Sequence, residues 1–300
     1  MNVNSQGDPM AELGRLRTYL KAVTASILAR TPAGRNLTVF PEDTFIVSYF
    51  RSGSTWSRFL FGNLIHEHEA VTFTNMERLV PFIYNQPDRI LRRLPRVLKS
   101  HECFDPRYPR AMYIVRDPRD VALSQYHYHR KCRKIDDDYP IEKFITRFLA
   151  GQTCPHGSWG ENVSTWLVTR KNDPRFLLLR YEDLVADTPR ELSKIAVFLG
   201  INATQERITQ AVERSSAENM RKLEKEQSHL STLTKTSRKD LPFVRAAGSG
   251  GWRSGLPEPL VARIEAAWEP LMRSLGYELS TRPHSEPAEF DLVLNGIRTN

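Results

Sequence analysis

The sequence predicts an α/β fold: one domain with a central, mostly parallel sheet flanked by helices. Three observations support this. Short apolar runs of strand length recur at residues 45–49, 96–99, 111–115 and 176–179. Segments with the spacing of a helical face fall between them. The first run also enters a small-residue loop, Phe50-Arg51-Ser52-Gly53-Ser54-Thr55, and continues as Trp56, Phe59, Leu60 and Leu64 on one helical face. Strands alternating with helices imply crossover connections and a parallel sheet. In such sheets ligands gather outside the carboxyl ends of the strands. Arg51, Lys99-Ser100-His101, Arg116 and Tyr181 each follow a predicted strand, so four distant loops should meet at one edge.

The first strand, loop and helix start make a P-loop-like anion cradle. Loop N–H groups and the helix N-terminus point positive dipole at a phosphate. Arg51 adds a full charge, and Ser52, Ser54 and Thr55 add hydroxyls. Arg96 to Lys99 reads as the second strand, ending at Ser100-His101-Glu102. Lysine and histidine two apart on an extended chain project to the same side, which can place a general base beside a fixed charge. Ala111 to Val115 is the third strand. Asp117 then caps a helix with Pro118 at its first position, running to about Lys131. Arg116 before that helix and Ser124 within it can hold a second anion.

Further along, Ile141–Leu149 and residues 162–171 read as helices, and residues 176–179 as a fully apolar strand. Thr188-Pro189-Arg190-Glu191 reads as a capping box opening a helix that Gly200 stops. The polar stretch 216–240 reads as a surface flap, and Gly248 to Trp252 as a flexible loop. Residues 260–275 form a last helix. The expected organisation is an N-terminal extension with an amphipathic helix (1–35), the main domain (36–280) and a loosely held tail (281–300). The N-terminal helix is expected to pack on the domain, with peripheral membrane contact as its alternative.

The chain has 300 residues, 40% of them hydrophobic, enough for a sizeable core. A formal net charge of +8 favours anionic partners. The basic residues are dispersed, without the aromatic-interleaved block of a nucleic-acid motif, so no nucleic-acid partner is expected. Three cysteines without a pairing motif suit a reducing compartment. No secretory signature opens the chain and no apolar run reaches a membrane span, so a cytoplasmic location is expected. His127 and His129 are two apart in a predicted helix and diverge, so no metal site is expected. Oligomeric state stays open.

Together the motifs resemble the cytosolic type of sulfotransferase, which uses 3′-phosphoadenosine 5′-phosphosulfate (PAPS) as co-substrate. Tyr49-Phe-Arg-Ser-Gly-Ser-Thr-Trp56 is similar to that family's 5′-phosphosulfate loop, Tyr-Pro-Lys-Ser-Gly-Thr-Thr-Trp. Tyr113 to Ser124 resembles its 3′-phosphate motif, and Lys99-Ser100-His101 the segment with its catalytic histidine. Gly157-Ser158-Trp159 with Trp166, then Leu178 to Leu184, resemble its middle region. Phe243-Val244-Arg245 with Gly250-Gly251-Trp252-Arg253 resembles its C-terminal signature.

The resemblance implies sulfuryl transfer to a hydroxyl or amine of a small-molecule acceptor. His101 would be the general base, with Arg51 and Lys99 neutralising charge. Arg51, Ser52, Gly53, Ser54 and Thr55 would cradle the phosphosulfate, and Trp56 would stack on adenine. Arg116, Ser124 and Arg245 would bind the 3′-phosphate. Tyr181 would contact adenine, and Ser215 to Met220 would line the nucleotide. Phe73, Phe82, Tyr84 and Phe144 are candidates for an apolar acceptor pocket.

The chain departs from the family at Arg51, where lysine is usual, at Ala217, where an aromatic usually faces adenine, and at Ala246-Ala247, which replace a Lys-Gly pair. Lys222 or Arg253 are candidates to compensate. Arginine does not give up a proton in proteins, so Arg51 would act only as a charge clamp. The alternatives are an ATP-dependent small-molecule kinase and a non-catalytic nucleotide-binding protein. The kinase would need a loop lysine and acidic magnesium ligands, for which Asp183 alone is poor.

Overall fold

Thr44–Ser48 forms β1, an inner strand of a four-stranded parallel sheet in the computed structural model of the chain. The structure describes residues 37–84, 96–227, 229–230, 237–238, 240–244 and 248–280. The expectations for the N-terminal helix, Arg245, Ala246, Ala247 and the tail after 280 lie outside these residues.

The other strands are β2 (Val97–Ser100), β3 (Arg110–Val115) and β4 (Phe176–Arg180), and the sheet order is β2-β1-β3-β4. Side chains alternate along each strand, which divides the core. Phe45 and Val47 with Ala111, Tyr113 and Val115 face one layer, and Ile46 with Met112 and Ile114 faces the other. Burial on both sides explains why these strands read as continuous apolar runs. A buried ion pair between Arg96 and Asp43 joins the starts of β1 and β2, with Arg96 Nε donating to Asp43 Oδ1 at 2.7 Å.

Helix α1 (Ser54–Ile65) packs Phe59, Leu60 and Leu64 into the Ile46 layer. A short α2 (Met76–Leu79) follows. α3 (Pro118–Lys131), α4 (Ile141–Leu149) and α5 (Trp159–Arg170) pack against the Phe45 layer. α6 (Tyr181–Ala186), α7 (Thr188–Leu199), α8 (Gln205–Arg214) and α9 (Ala217–Gln227) return to the Ile46 layer. A short turn, α10 (Trp252–Gly255), precedes α11 (Glu258–Ser274), which is kinked at Trp268, two residues before Pro270.

Several sequence expectations are corrected. β4 is an edge strand: Leu179 alone among its residues is buried, and Leu178 is exposed. α5 starts three residues early, because Ser158 and Glu161 form a reciprocal capping box. The cap of α7 is Asp187, which accepts from the Arg190 N–H at 3.1 Å, while Glu191 pairs with Lys194. The polar stretch after residue 216 begins as α9, held by buried Met220. The Gly248–Trp252 segment is fixed: Asp120 accepts from Gly250 N–H at 2.7 Å and Trp252 N–H at 3.0 Å, and Trp252 is buried.

Candidate active site

The order β2-β1-β3-β4 reverses direction at β1, so the crevice beside the β1 and β3 carboxyl ends is the natural ligand site. A cavity of about 1010 Å³ opens there. It is lined by Arg51, Gly53, Ser54, Thr55, Trp56, Lys99, His101, Arg116, Ser124, Tyr181, Ser215 and Met220. The four loops expected from the sequence therefore meet. Ser52 is the exception: it is fully buried, its N–H donates to the Tyr49 carbonyl at 3.1 Å, and its Oγ has no partner among the described residues. It serves the turn and does not present its hydroxyl to the cavity.

The loop has two left-handed residues, Arg51 (φ 72°) and Gly53 (φ 92°). Such alternation turns successive N–H groups toward one point, an anion nest ahead of α1. Gly53 is also demanded by space, because a Cβ there would sit 2.5 Å from the Tyr181 ring. At Arg51 the conformation is strained for a residue with a side chain. Its guanidinium is held by Ser124 Oγ at 3.3 Å from Nε, and it lies 4.6 Å from the Tyr128 ring centre and 5.4 Å from that of Phe243. Gln125 secures the preceding residue, donating to the Phe50 carbonyl at 3.1 Å.

Arg116 lines the same crevice. Its guanidinium donates to the Gly248 carbonyl at 3.1 Å and stacks 4.3 Å from the Tyr181 ring centre. Asp120 is 3.7 Å away, and Arg116 Nε is buried without a partner among the described residues. Arg51 and Arg116 are neighbours, with Arg116 Nη1 3.5 Å from the Arg51 carbonyl oxygen. Trp56 donates its indole N–H to the Ser215 carbonyl at 3.1 Å and meets Tyr181 edge-on at 5.7 Å. Ser215 is itself tied by Asn63. Ala217 lines the cavity beside them.

His101 is buried, and its Nδ1 lies 2.6 Å from the Ser48 carbonyl oxygen. A carbonyl only accepts, so Nδ1 carries the proton and Nε2 keeps a lone pair. Burial, then the Lys99 charge, pushes the imidazole pKa well below its usual value, so the neutral ring dominates near pH 7. Lys99 is also buried, with Nζ 3.9 Å over the Phe82 ring centre. Burial, then the neighbouring Arg58 charge, lowers the Lys99 pKa well below that of a free lysine. Arg58 itself pairs with Glu77 at 2.9 Å and donates to the Val80 carbonyl.

Helix α5 fixes the loops from behind. The Trp159 indole donates to the Arg116 carbonyl at 3.1 Å, Asn162 to the His101 carbonyl at 3.1 Å, and Trp166 to the Glu102 carbonyl at 3.0 Å. Sequence reasoning missed several of these supports. Asp120 and Tyr128 line the cavity four residues before and after Ser124 on α3, a signal that was available from the helix period. Gln125, Arg58 and Asn162 left no such signal, because their partners lie far away in sequence. Of the acceptor-pocket candidates, Phe82 and Tyr84 line the cavity, whereas Phe73 and Phe144 are buried in the core. Lys222 and Arg253 do not line it; Arg253 stacks on Trp252. No group of acidic, histidine or cysteine side chains suited to a metal occurs among the described residues.

A parallel sheet with a phosphate nest at its switch point, two arginines lining the crevice and a neutral histidine at a strand end suits the transfer of an anionic group. The comparisons give the family. A model described as the sulfotransferase domain matches residues 41–276. Similar proteins include sulfotransferase 1A1 of Bos taurus, 30% identical over 239 residues, covering 72% of this chain and 78% of that protein. Cytosolic sulfotransferase 12 of Arabidopsis thaliana is 28% identical over 265 residues, covering 80% of each. Among solved structures, a mouse sulfotransferase complexed with PAP superposes with a TM-score of 0.62 at 24% identity, over 79% of this chain and 86% of that one. A retinol dehydratase in complex with androsterone and inactive cofactor PAP gives 0.66 at 21%, over 83% and 84%. The chain belongs to the sulfotransferase family. It is an enzyme of sulfuryl transfer, and nothing in these matches favours the kinase.

Proposed function

We propose that the chain moves the sulfuryl group of PAPS to a hydroxyl (or amine) of a small-molecule acceptor, releasing adenosine 3′,5′-bisphosphate. The observation that carries this reading is His101: a buried, neutral imidazole with Nδ1 committed to Ser48, placed where the phosphate nest opens. A base of that kind takes a proton from an acceptor hydroxyl without itself needing to lose one.

The nest from Arg51 to Thr55 and the α1 N-terminus hold the phosphosulfate. Arg116, Ser124 and Arg245 hold the 3′-phosphate. Trp56, Tyr181, Ser215 and Met220 enclose the adenine. His101 Nε2 accepts the acceptor's proton as its oxygen bonds to sulfur. The bond from sulfur to the bridging oxygen breaks, and its electron pair stays on the departing phosphate. Arg51 and Lys99 offset the charge growing on the bridging and equatorial oxygens. Preorganised charge and positioning supply most of the rate.

We infer a domain at 36–280, between an extension (1–35) and a tail (281–300). A cytoplasmic setting agrees with the Arabidopsis relative's name, and no helix among the described residues is long and apolar enough to cross a membrane. The test has two arms. Adenosine 3′,5′-bisphosphate should raise Tm more than ATP does, and labelled PAPS should label a product in a cell extract. A stronger response to ATP would favour a kinase, and binding without transfer would favour a nucleotide-binding protein.

A further inference from the structure

Helix α1, which opens at the phosphate nest, carries a buried arginine, Arg58, to which the transfer step gives no role. Its Nε donates to the Val80 carbonyl at 2.9 Å, and its Nη2 donates to the Met76 carbonyl at 3.2 Å. The same Nη2 pairs with Glu77 Oε1 at 2.9 Å. The other oxygen of Glu77, Oε2, accepts from the Phe82 N–H at 3.1 Å. Burying an ion pair costs desolvation energy, and well-packed apolar replacements are often as stable. Fold stability alone is therefore a weak reason for this pair, and its neighbour is Lys99.

The pair holds the segment on which Lys99 sits. Residues 81–83 run beside the end of β2: Lys99 N–H donates to the Pro81 carbonyl at 2.8 Å, and Ile83 N–H to the Lys99 carbonyl at 3.1 Å. Arg58 fixes the start of this segment at Val80, and Glu77 fixes it at Phe82. The Phe82 ring then lies under the Lys99 ammonium, 3.9 Å from Nζ to the ring centre. Lys99 lines the cavity and has no ion-pair partner among the described residues. The charged or titratable groups that act on it are Arg58 from α1, Glu77 from α2 and His101 two residues further along its own chain. Arg58 disfavours the ammonium more than Glu77 favours it.

We propose that Arg58 and Glu77 are a positioning pair for Lys99: together they hold the Phe82 seat beneath its ammonium, and Arg58 keeps that ammonium short of a counter-charge until an anionic sulfuryl group supplies one. The part that Lys99 plays toward the sulfuryl group rests on the sulfuryl-transfer reading. The seat itself follows from the contacts of Arg58, Glu77 and Phe82. An ammonium already neutralised by a carboxylate gives little to charge that develops later. One held in place and facing a buried guanidinium gains most when that charge appears.

The test reads Lys99 directly in the full chain. Labelling with lysine carrying ¹³C at Cε gives a Lys99 resonance, assigned by its loss in Lys99→Met, whose midpoint is followed by NMR as pH rises. The initial rate of label transfer from PAPS in a cell extract is measured over the same range. Lys99 must carry its proton to offset charge, so the rate should fall as pH passes its midpoint, which in wild type should lie below the ordinary lysine value of about 10.4. Arg58→Met should raise the midpoint by about one pH unit or more, and Glu77→Gln should lower it. The basic limb of the rate should move with the midpoint in each variant. The double variant Arg58→Met/Glu77→Gln leaves neither charge unpaired and decides the matter if a single variant does not fold; its midpoint should lie above wild type. A pair with a merely structural role would lower the rate in both single variants without moving the limb. Unmoved midpoints, shifts of the same sign in the two single variants, or midpoint shifts that the rate does not follow overturn the proposal. Opposite midpoint shifts in a protein that transfers no label at any pH leave the seat standing and overturn sulfuryl transfer instead.

Discussion

His101 Nδ1 sits 2.6 Å from the carbonyl oxygen of Ser48, the last residue of β1. The strand that delivers the phosphate nest therefore also sets the tautomer of the histidine at the end of its neighbour. Burial and the Lys99 charge hold that imidazole well below its usual pKa. The base works when neutral, so kcat/KM should stay level through neutral pH and fall only below the ordinary histidine range of about 6.5. A pH profile of kcat/KM with a fixed acceptor checks this; an acid limb centred above pH 7 contradicts it.

Gly53 faces two constraints at once, a left-handed backbone and a Tyr181 ring 2.5 Å from where a Cβ would sit. Gly53→Ala should cost about 1–3 kcal/mol from strain and overpacking. It should also weaken nucleotide binding, because the nest and Tyr181 move together. Urea unfolding and calorimetric titration with adenosine 3′,5′-bisphosphate measure the two losses.

Arg51 is clamped by Ser124 and by the rings of Tyr128 and Phe243. Arg51→Ala should lower kcat by ~100-fold or more if the guanidinium stabilises charge in the transition state. Arg51→Lys keeps the charge but loses the planar stacking, so it should fall between the two. A decrease of less than about threefold in Arg51→Ala removes this residue from the mechanism.

His129 is buried with Nε2 unpartnered among the described residues, and burial followed by the charges of Lys134 and Arg147 lowers its pKa to about 4. The unfolded chain binds a proton at this residue below about 6.5, whereas the folded chain does so only near 4, so the unfolded state holds more protons between those values. Stability should therefore drop as pH falls from about 6.5 toward 4, by on the order of 3 kcal/mol from this residue. Urea midpoints over that range should show the loss, and His129→Gln should flatten part of it.

Much of the site was legible because its residues sit at places with strong local grammar. Arg51, His101, Arg116 and Tyr181 follow apolar runs, and a parallel sheet brings strand ends together whatever the sequence between them. Asp117 and Pro118 announced α3 for the same local reason. What stayed hidden depends on tertiary contacts. Ser52 looks like a phosphate ligand in the loop, but the turn buries it. The Gly248–Trp252 segment looks flexible until Asp120 supplies partners for two of its N–H groups. Phe73 and Phe82 are alike in sequence; only the bridge between Phe82 and Lys99 puts one of them in the cavity wall.

The assignment of His101 as the base is tested most directly by following transfer from labelled PAPS in wild type and His101→Ala at one acceptor concentration, with calorimetric binding of adenosine 3′,5′-bisphosphate measured on both. The account predicts that labelled product nearly disappears in the variant while the nucleotide Kd changes by less than about threefold, since general-base catalysis alone is commonly worth 10²–10⁴-fold. Retention of most of the turnover, or equal loss of turnover and nucleotide binding, would contradict it.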